Sequence, residues 1–316
     1  MEKRRLQATG GRSLTLTLPK SWVDTWQLQS KDEVLVNTSG ASLIVRPSKR
    51  TNQRFAKAID LNSKKPEWIL REIIGAYVSG AHKIVLEGDK ISPTQNRIIR
   101  QTVRELFGFE ILEETSSKIA AHSVINDTKY PVEDNAKRAY TICRQMLEDT
   151  LTAAQTGDKD LAYEVMLRDQ ELNMLVYAIE RRLTQTLEGR VEGNSIEINY
   201  YCNVALQLER IGDRAAIIGG LVKEGRAEVV QLSQSFPDIR EALVGLLDDI
   251  ENLLQNPNIV LAHHILDKNP ELSEVIYSSN RIKKIYEGAV VEDSLDRCRG
   301  RLMNIAELTI DYLIQK

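Results

Sequence analysis

The stretch LERIGDRAAIIGG at 208–220 carries two carboxylates four residues apart, Glu209 and Asp213. On a helix, side chains at i and i+4 point the same way, with Cβ atoms about 6 Å apart. Ionised carboxylates only accept hydrogen bonds, so such a pair repels itself. A hard or borderline cation with oxygen ligands relieves that repulsion. Beside the pair runs a row of small residues, Ala205, Gly212, Ala216 and Gly219, which lets another helix approach closely. Leu208, Ile211, Ala215 and Ile218 step by 3, 4 and 3 residues, the apolar stripe of a buried helix. A plainer reading stands beside this one. Charges alternate in ERIGDR, so Glu209 with Arg210 or Arg214, and Asp213 with Arg210, can be ordinary surface pairs that contribute little.

Other chemistry-bearing residues are scattered. His263 and His264 are adjacent and so diverge by about 100° on a helix, which makes no chelating pair. His82 and His122 are isolated and read as structural. Cys143, Cys202 and Cys298 are far apart and lack CxxC spacing, as in reduced intracellular thiols. Neither a phosphate loop nor an assignable general base is present, so the chain does not read as an enzyme. No apolar run approaches the ~20 residues that span a bilayer, and the first residues, MEKRRLQATGG, hold no signal core. A cytoplasmic protein without membrane insertion is expected.

The charge is uneven. Net charge is −3 over 316 residues, yet residues 1–50 hold nine Lys/Arg and four Asp/Glu, a balance of +5, which leaves −8 for the rest. A basic head on an acidic body points to nucleic acid at one end. At ~150 residues per domain the length allows two or three domains, and the patterns divide the chain at 1–48, 51–127 and 130–316.

In the head, SLTLTLP at 13–19 alternates as a half-buried strand, Pro19 opens a short helix bearing Trp22, Val23 and Trp26, and EVLVN and SLIVRP form a hairpin through TSGA. So short a unit has little core without a staple. A dimer that interleaves strands supplies one. The middle reads β-α-β-α-β-β, an α+β module compatible with a ferredoxin-like sandwich, with Ser92 as N-cap, Pro93 at the first helical position and Gly108 at the stop. The body reads as six helices near 132–156, 158–188, 195–224, 236–255, 258–287 and 290–315, whose apolar faces require a bundle.

That body repeats internally. Shifted by 100 residues, 146–182 lies over 246–282 with nine identities in 37 positions, among them Leu172/Leu272, Tyr177/Tyr277 and Arg181/Arg281. Shifted by 87, LERIGDRAAIIG lies over LDRCRGRLMNIA. Two three-helix repeats, 130–225 and 236–316, are expected.

Two resemblances follow. RLQATGGRSLTLTLPKSWVDTWQLQSKDEVLV resembles the AbrB/SpoVT looped-hinge domain, whose members form intertwined dimeric β-barrels that bind DNA through a basic face. The resemblance implies a small swapped-hairpin β-barrel dimer, with Lys3, Arg4, Arg5, Arg12 and Lys20 on DNA phosphates. One departure matters: strong DNA binders carry a basic pair in the short helix, where this chain has Trp22-Val23-Asp24. The head can therefore also be a dimerisation module alone. LERIGDRAAII resembles the third-helix signature of the PhoU family, an all-α fold of two three-helix repeats. Members bind iron or zinc clusters on carboxylates and regulate phosphate uptake with the phosphate transporter and its sensor.

The resemblance adds Asp169 on the neighbouring helix, and Asn173 one turn on, as ligands beside Glu209 and Asp213. In the second repeat Asp169 corresponds to Asn269, Asn173 to Ser273, Glu209 to Asp296, Asp213 to Gly300 and Gly212 to Arg299. One metal site per chain, at most, is expected. Two functions are implied: a homodimeric DNA-binding transcriptional regulator of phosphate homeostasis whose body senses metal or a partner, or an adaptor that docks on the phosphate transporter or a sensor kinase.

Overall fold

Gly10 and Gly11, both at positive φ near 60°, turn the chain between two very short antiparallel strands, β1 (Gln7–Ala8) and β2 (Leu14–Thr15). Only glycine adopts that conformation without a steric cost. The computed structural model describes residues 3–11, 13–39, 41–48, 55–125, 131–226, 236–277 and 286–316. Contacts divide it into two units, Met1–Arg54 and Phe55–Lys316.

In the first unit, α1 (Lys20–Thr25) follows Pro19, and β3 (Val34–Ser39) pairs antiparallel with β4 (Ser42–Pro47). Strand β2 is much shorter than the alternation over 13–19 predicts. The two hairpins form separate two-stranded sheets among the described residues, without closing a barrel within one chain. None of α1's residues is buried. Leu6, Leu14, Leu16, Leu35, Val36 and Leu43 are all exposed, Leu14 by 62%.

The second unit begins with the α+β module: β5 (Ala56–Asp60), α2 (Pro66–Val78), β6 (Lys83–Glu87), α3 (Pro93–Arg104), β7 (Phe109–Glu114) and β8 (Lys118–Ser123). The sheet order is β5-β6-β8-β7, with β5 and β6 parallel and β8 antiparallel to both its neighbours. Strand β7 therefore runs parallel to β6, and three parallel strands enclose one antiparallel strand. This corrects the ferredoxin-like expectation. Helical crossovers deliver parallel strands, whereas the tight turn after β7 returns the chain antiparallel and inserts β8 beside β6. Ser92 caps α3 in a reciprocal box: its Oγ accepts from the Gln95 amide at 3.2 Å, and Gln95 Oε1 accepts from the Ser92 amide at 2.9 Å. The helix ends at Arg104, before the expected stop. Gly108 instead opens the path to β7 at φ +72°, where a Cβ would lie 2.2 Å from Ile125.

The helical region comprises α4 (Val132–Thr156), α5 (Lys159–Leu187), α6 (Ser195–Lys223), α7 (Phe236–Gln255), α8 (Ile259–Asp267), α9 (Asn269–Tyr277) and α10 (Tyr286–Gln315). Asp158, Asn194 and Asn258 cap α5, α6 and α8 with side-chain oxygens. The helix expected over 258–287 is interrupted at Lys268 between α8 and α9. Pro270 has no amide hydrogen to give the Leu266 carbonyl, and its ring crowds that turn. Residues 278–285, within the expected helix, lie outside the described residues. One continuous apolar core joins all these helices, from Ala139 and Leu147 to Leu302 and Ile305.

The module and the helices share a joint. Tyr177 of α5 packs on the module's core. Buried Arg181 donates from Nη1 to the carbonyls of Tyr77, at 2.7 Å, and Ala81, at 2.8 Å, and stacks over the Tyr77 ring at 4.8 Å. Arg190 donates to the Ser79 carbonyl at 3.1 Å. Both cations thus meet the negative, carbonyl-rich end of α2.

Candidate functional site

Helices α5 and α6 bring the predicted acids together because glycines remove bulk between them. A Cβ on Gly212 would lie 2.5 Å from Leu172 Cδ2, and one on Gly219 would lie 3.1 Å from the Ala162 carbonyl oxygen. Asp169 and Asn173 sit one turn apart on α5, and Asn173 donates from Nδ2 to Asp169 Oδ2 at 3.2 Å. The other oxygen, Asp169 Oδ1, is buried without a hydrogen-bond partner. Burial raises the Asp169 carboxyl above its ordinary range; the charge of Asp213 adds to this and Asn173 opposes it. Glu209 is raised by burial, then by Asp213, with smaller contributions from Asp169 and Glu180; Arg210 opposes them. The site is therefore a group of acids that repel one another across two helices.

It extends further than Asp169, Asn173, Glu209 and Asp213. Burial raises Glu180, and Tyr177 is raised by burial and then by Glu209, Glu180, Glu105 and Asp169. Sequence reasoning missed Tyr177 and Glu180 as members. The signal was present: 169, 173, 177 and 180 step by 4, 4 and 3 along one helical face. As for the plainer pairing, no ion pair joins Glu209 or Asp213 to Arg210 or Arg214 among the described residues; Arg214 lies 3.9 Å from Asp293.

The corresponding positions later in the chain look different. Arg299 binds Asp296 Oδ1 through Nε at 2.8 Å and Nη2 at 2.7 Å, and its Nη1 also donates to Asn269 Oδ1. Tyr277 donates its hydroxyl to Asp296 Oδ2 at 2.9 Å.

Among the described residues, no three His, Cys, Asp or Glu side chains are grouped closely enough to hold a metal ion. As placed, the acids of α5 and α6 do not fit a multinuclear cluster. His82 is tied by Nδ1 to the Phe55 carbonyl at 2.6 Å, and His122 lies 3.7 Å from Glu113. His263 and His264 are exposed on α8. All three cysteines are buried, and burial pushes Cys202 and Cys298 up to about 12, which leaves the thiols protonated and unreactive. In the head, Lys3, Arg4, Arg5 and Lys20 are exposed, while Arg12 lies outside the described residues. Arg4 reaches Thr17 Oγ1 at 3.2 Å. No helix among the described residues is long and apolar enough to cross a membrane.

Comparison with known proteins follows these divisions. Residues 136–222 match the family model for the PhoU domain, and residues 7–53 match that for antidote-toxin recognition MazE, bacterial antitoxin. The structure is similar to PhoU from Pseudomonas aeruginosa, with 17% identity, a TM-score of 0.51, and coverage of 58% of this chain and 96% of that one. It is similar to the phosphate transport system regulatory protein PhoU from Streptococcus pneumoniae, with 17% identity, a TM-score of 0.50, and coverage of 58% and 94%. No curated protein matches the chain. The chain thus carries a PhoU-like helical fold behind a MazE/AbrB-like N-terminal segment.

Proposed function

We propose that this chain is a homodimeric regulator of phosphate homeostasis that acts on DNA through its head and takes its input through its PhoU-like body. The observation that carries the reading is the head's composition of surface: apolar strand residues lie exposed beside an exposed basic run, Lys3, Arg4 and Arg5. Apolar surface of that kind is favourably buried against a second copy. Two heads knitted into a swapped-hairpin barrel then present Lys3, Arg4, Arg5, Arg12 and Lys20 twice, and duplex phosphates are the natural counter-charge.

The test is the binding of the full-length protein to duplex DNA across a salt series, with its mass followed by light scattering. We expect a dimer. We expect the triple variant Lys3→Ser, Arg4→Ser, Arg5→Ser to lose about 5 units of salt-dependence slope if six phosphate contacts disappear. A monomer, or an unchanged slope, overturns the reading.

A second reading has its own support. Helix α1 offers Trp22-Val23-Asp24 where DNA binders have basic residues, and the family matched by 7–53 is described by its recognition of a toxin, a protein. On that reading the head is a clamp or protein-binding module, and the chain is an adaptor on the phosphate transporter or a sensor component. A dimer with no DNA affinity selects it. Neither reading requires catalysis or a bound metal. The body's input is a docked partner; the alternative input, a single iron or zinc ion at Asp169, Glu209 and Asp213 with Asn173, requires α5 and α6 to bring these side chains closer together than they stand here. Elemental analysis of wild type and of Glu209→Ala, Asp213→Ala separates these: equal metal in both removes the acids as ligands.

A further inference from the structure

The acids of the first repeat face one another, and a carboxylate on the matching face of α10 faces a cation. Asp296, at the position of Glu209, receives both Nε and Nη2 of Arg299 on one oxygen, at 2.8 and 2.7 Å. The Tyr277 hydroxyl fills the other oxygen at 2.9 Å. Arg299 then reaches across to Asn269 on α9, at the position of Asp169. Its side chain is only 13% exposed, so the guanidinium works inside the helix packing and not on a solvated face. Asp293 is already engaged by Arg297 at 2.8 Å. The replacements form a consistent set. An acid becomes the amide Asn269, Asp213 becomes Gly300, and the glycine that leaves room in the first repeat becomes Arg299.

We propose that Arg299 is the resident cation of the second repeat, a side chain that neutralises Asp296 from within and clamps α9 to α10. The planar fork suits this task, because it can hold a carboxylate and an amide oxygen at once. The second half of the body is then closed by its own sequence, and a cation or basic group from solution finds its carboxylate already paired. This assignment stands independently of whether the head binds DNA or the first repeat binds metal.

Thermal unfolding of the full-length protein tests it. Arg299→Ala is expected to melt about 3 °C lower than wild type, the shift that a partly buried ion pair produces in a domain of this size. Arg299→Lys is expected to retain part of the difference. Millimolar methylguanidinium is expected to raise the melting temperature of Arg299→Ala, and to leave wild type and the Arg299→Ala, Asp296→Asn double variant unchanged. A wild-type melting temperature in Arg299→Ala overturns the assignment, as does a loss that methylguanidinium does not reduce. Should Arg299→Ala fail to fold, a cycle of Arg299→Lys with Asp296→Asn decides: coupled losses support the clamp, and additive losses overturn it.

Discussion

In the first half of the helical body Asp169, Glu209 and Asp213 lie near one another across α5 and α6, and burial and mutual repulsion raise two of their carboxyls. In the second half the corresponding positions hold Asn269, Asp296 and Gly300, with Arg299 in place of Gly212. The same pattern of positions thus yields one half with uncompensated negative charge and one half balanced from within. What differs is room as well as charge. The glycine that allows α5 and α6 to close also removes the position from which a cationic side chain could be supplied. On the proposed reading, the half that does not neutralise itself is the half that takes the outside partner.

The largest expected effect comes from forcing the first half to imitate the second. Gly212→Arg places a Cβ 2.5 Å from Leu172 Cδ2, and overpacking of this kind costs about 2–3 kcal/mol. Urea unfolding measures it, and Leu172→Ala in the same chain should recover part of the loss. A Gly212→Arg variant as stable as wild type would show that the first half has space for an internal cation, and the contrast would collapse.

Removing one repelling acid is a smaller change of opposite sign. Asp169→Asn keeps the shape and discards a charge held near Asp213, so it is expected to stabilise by about 0.5 kcal/mol, already reduced for the solvent screening of a partly exposed group. Thermal melts at low salt detect this, and a destabilised variant would mean that the Asp169 charge has a partner within the chain.

The pH dependence sharpens the same point. Asp169 and Glu209 titrate higher folded than unfolded. Their contribution is therefore fully present below the ordinary carboxylate range, about 4, and is lost as pH rises through the folded values. Between pH 7 and pH 5 the wild type should gain on an Asp169→Asn, Glu209→Gln variant by a degree or two in melting temperature. A gap that stays constant argues against the repulsion. Smallest of all is Asn269→Asp. Placed against Arg299, the new acid should change stability by no more than about 0.5 kcal/mol, and favourably. A clear loss in calorimetry would mean that Arg299 is fully committed to Asp296.

Much of this site was legible in letters alone. The spacing of Glu209 and Asp213 and the small residues beside them follow from helical periodicity, which is local, and the Arg299 replacement follows from the 87-residue internal repeat. The head shows the opposite case. Its alternation in 13–19 predicts one strand face buried, and within a single chain Leu14 and Leu16 remain exposed. Alternation specifies a face and says nothing about what covers it. Tyr177 and Glu180 were on the page as well, yet their membership depends on α6 and the α+β module approaching α5, which no spacing on α5 encodes.

By itself the sequence determined where helices begin, which residues form their apolar stripes, and which charges share a face, because these follow from bonding and sterics over a few residues. The tertiary structure alone decided that β8 inserts between β6 and β7 and that Arg181 ends up against the carbonyls of Tyr77 and Ala81. Those outcomes depend on surfaces distant in the chain competing for the same burial, and that competition is resolved only when the whole core is packed.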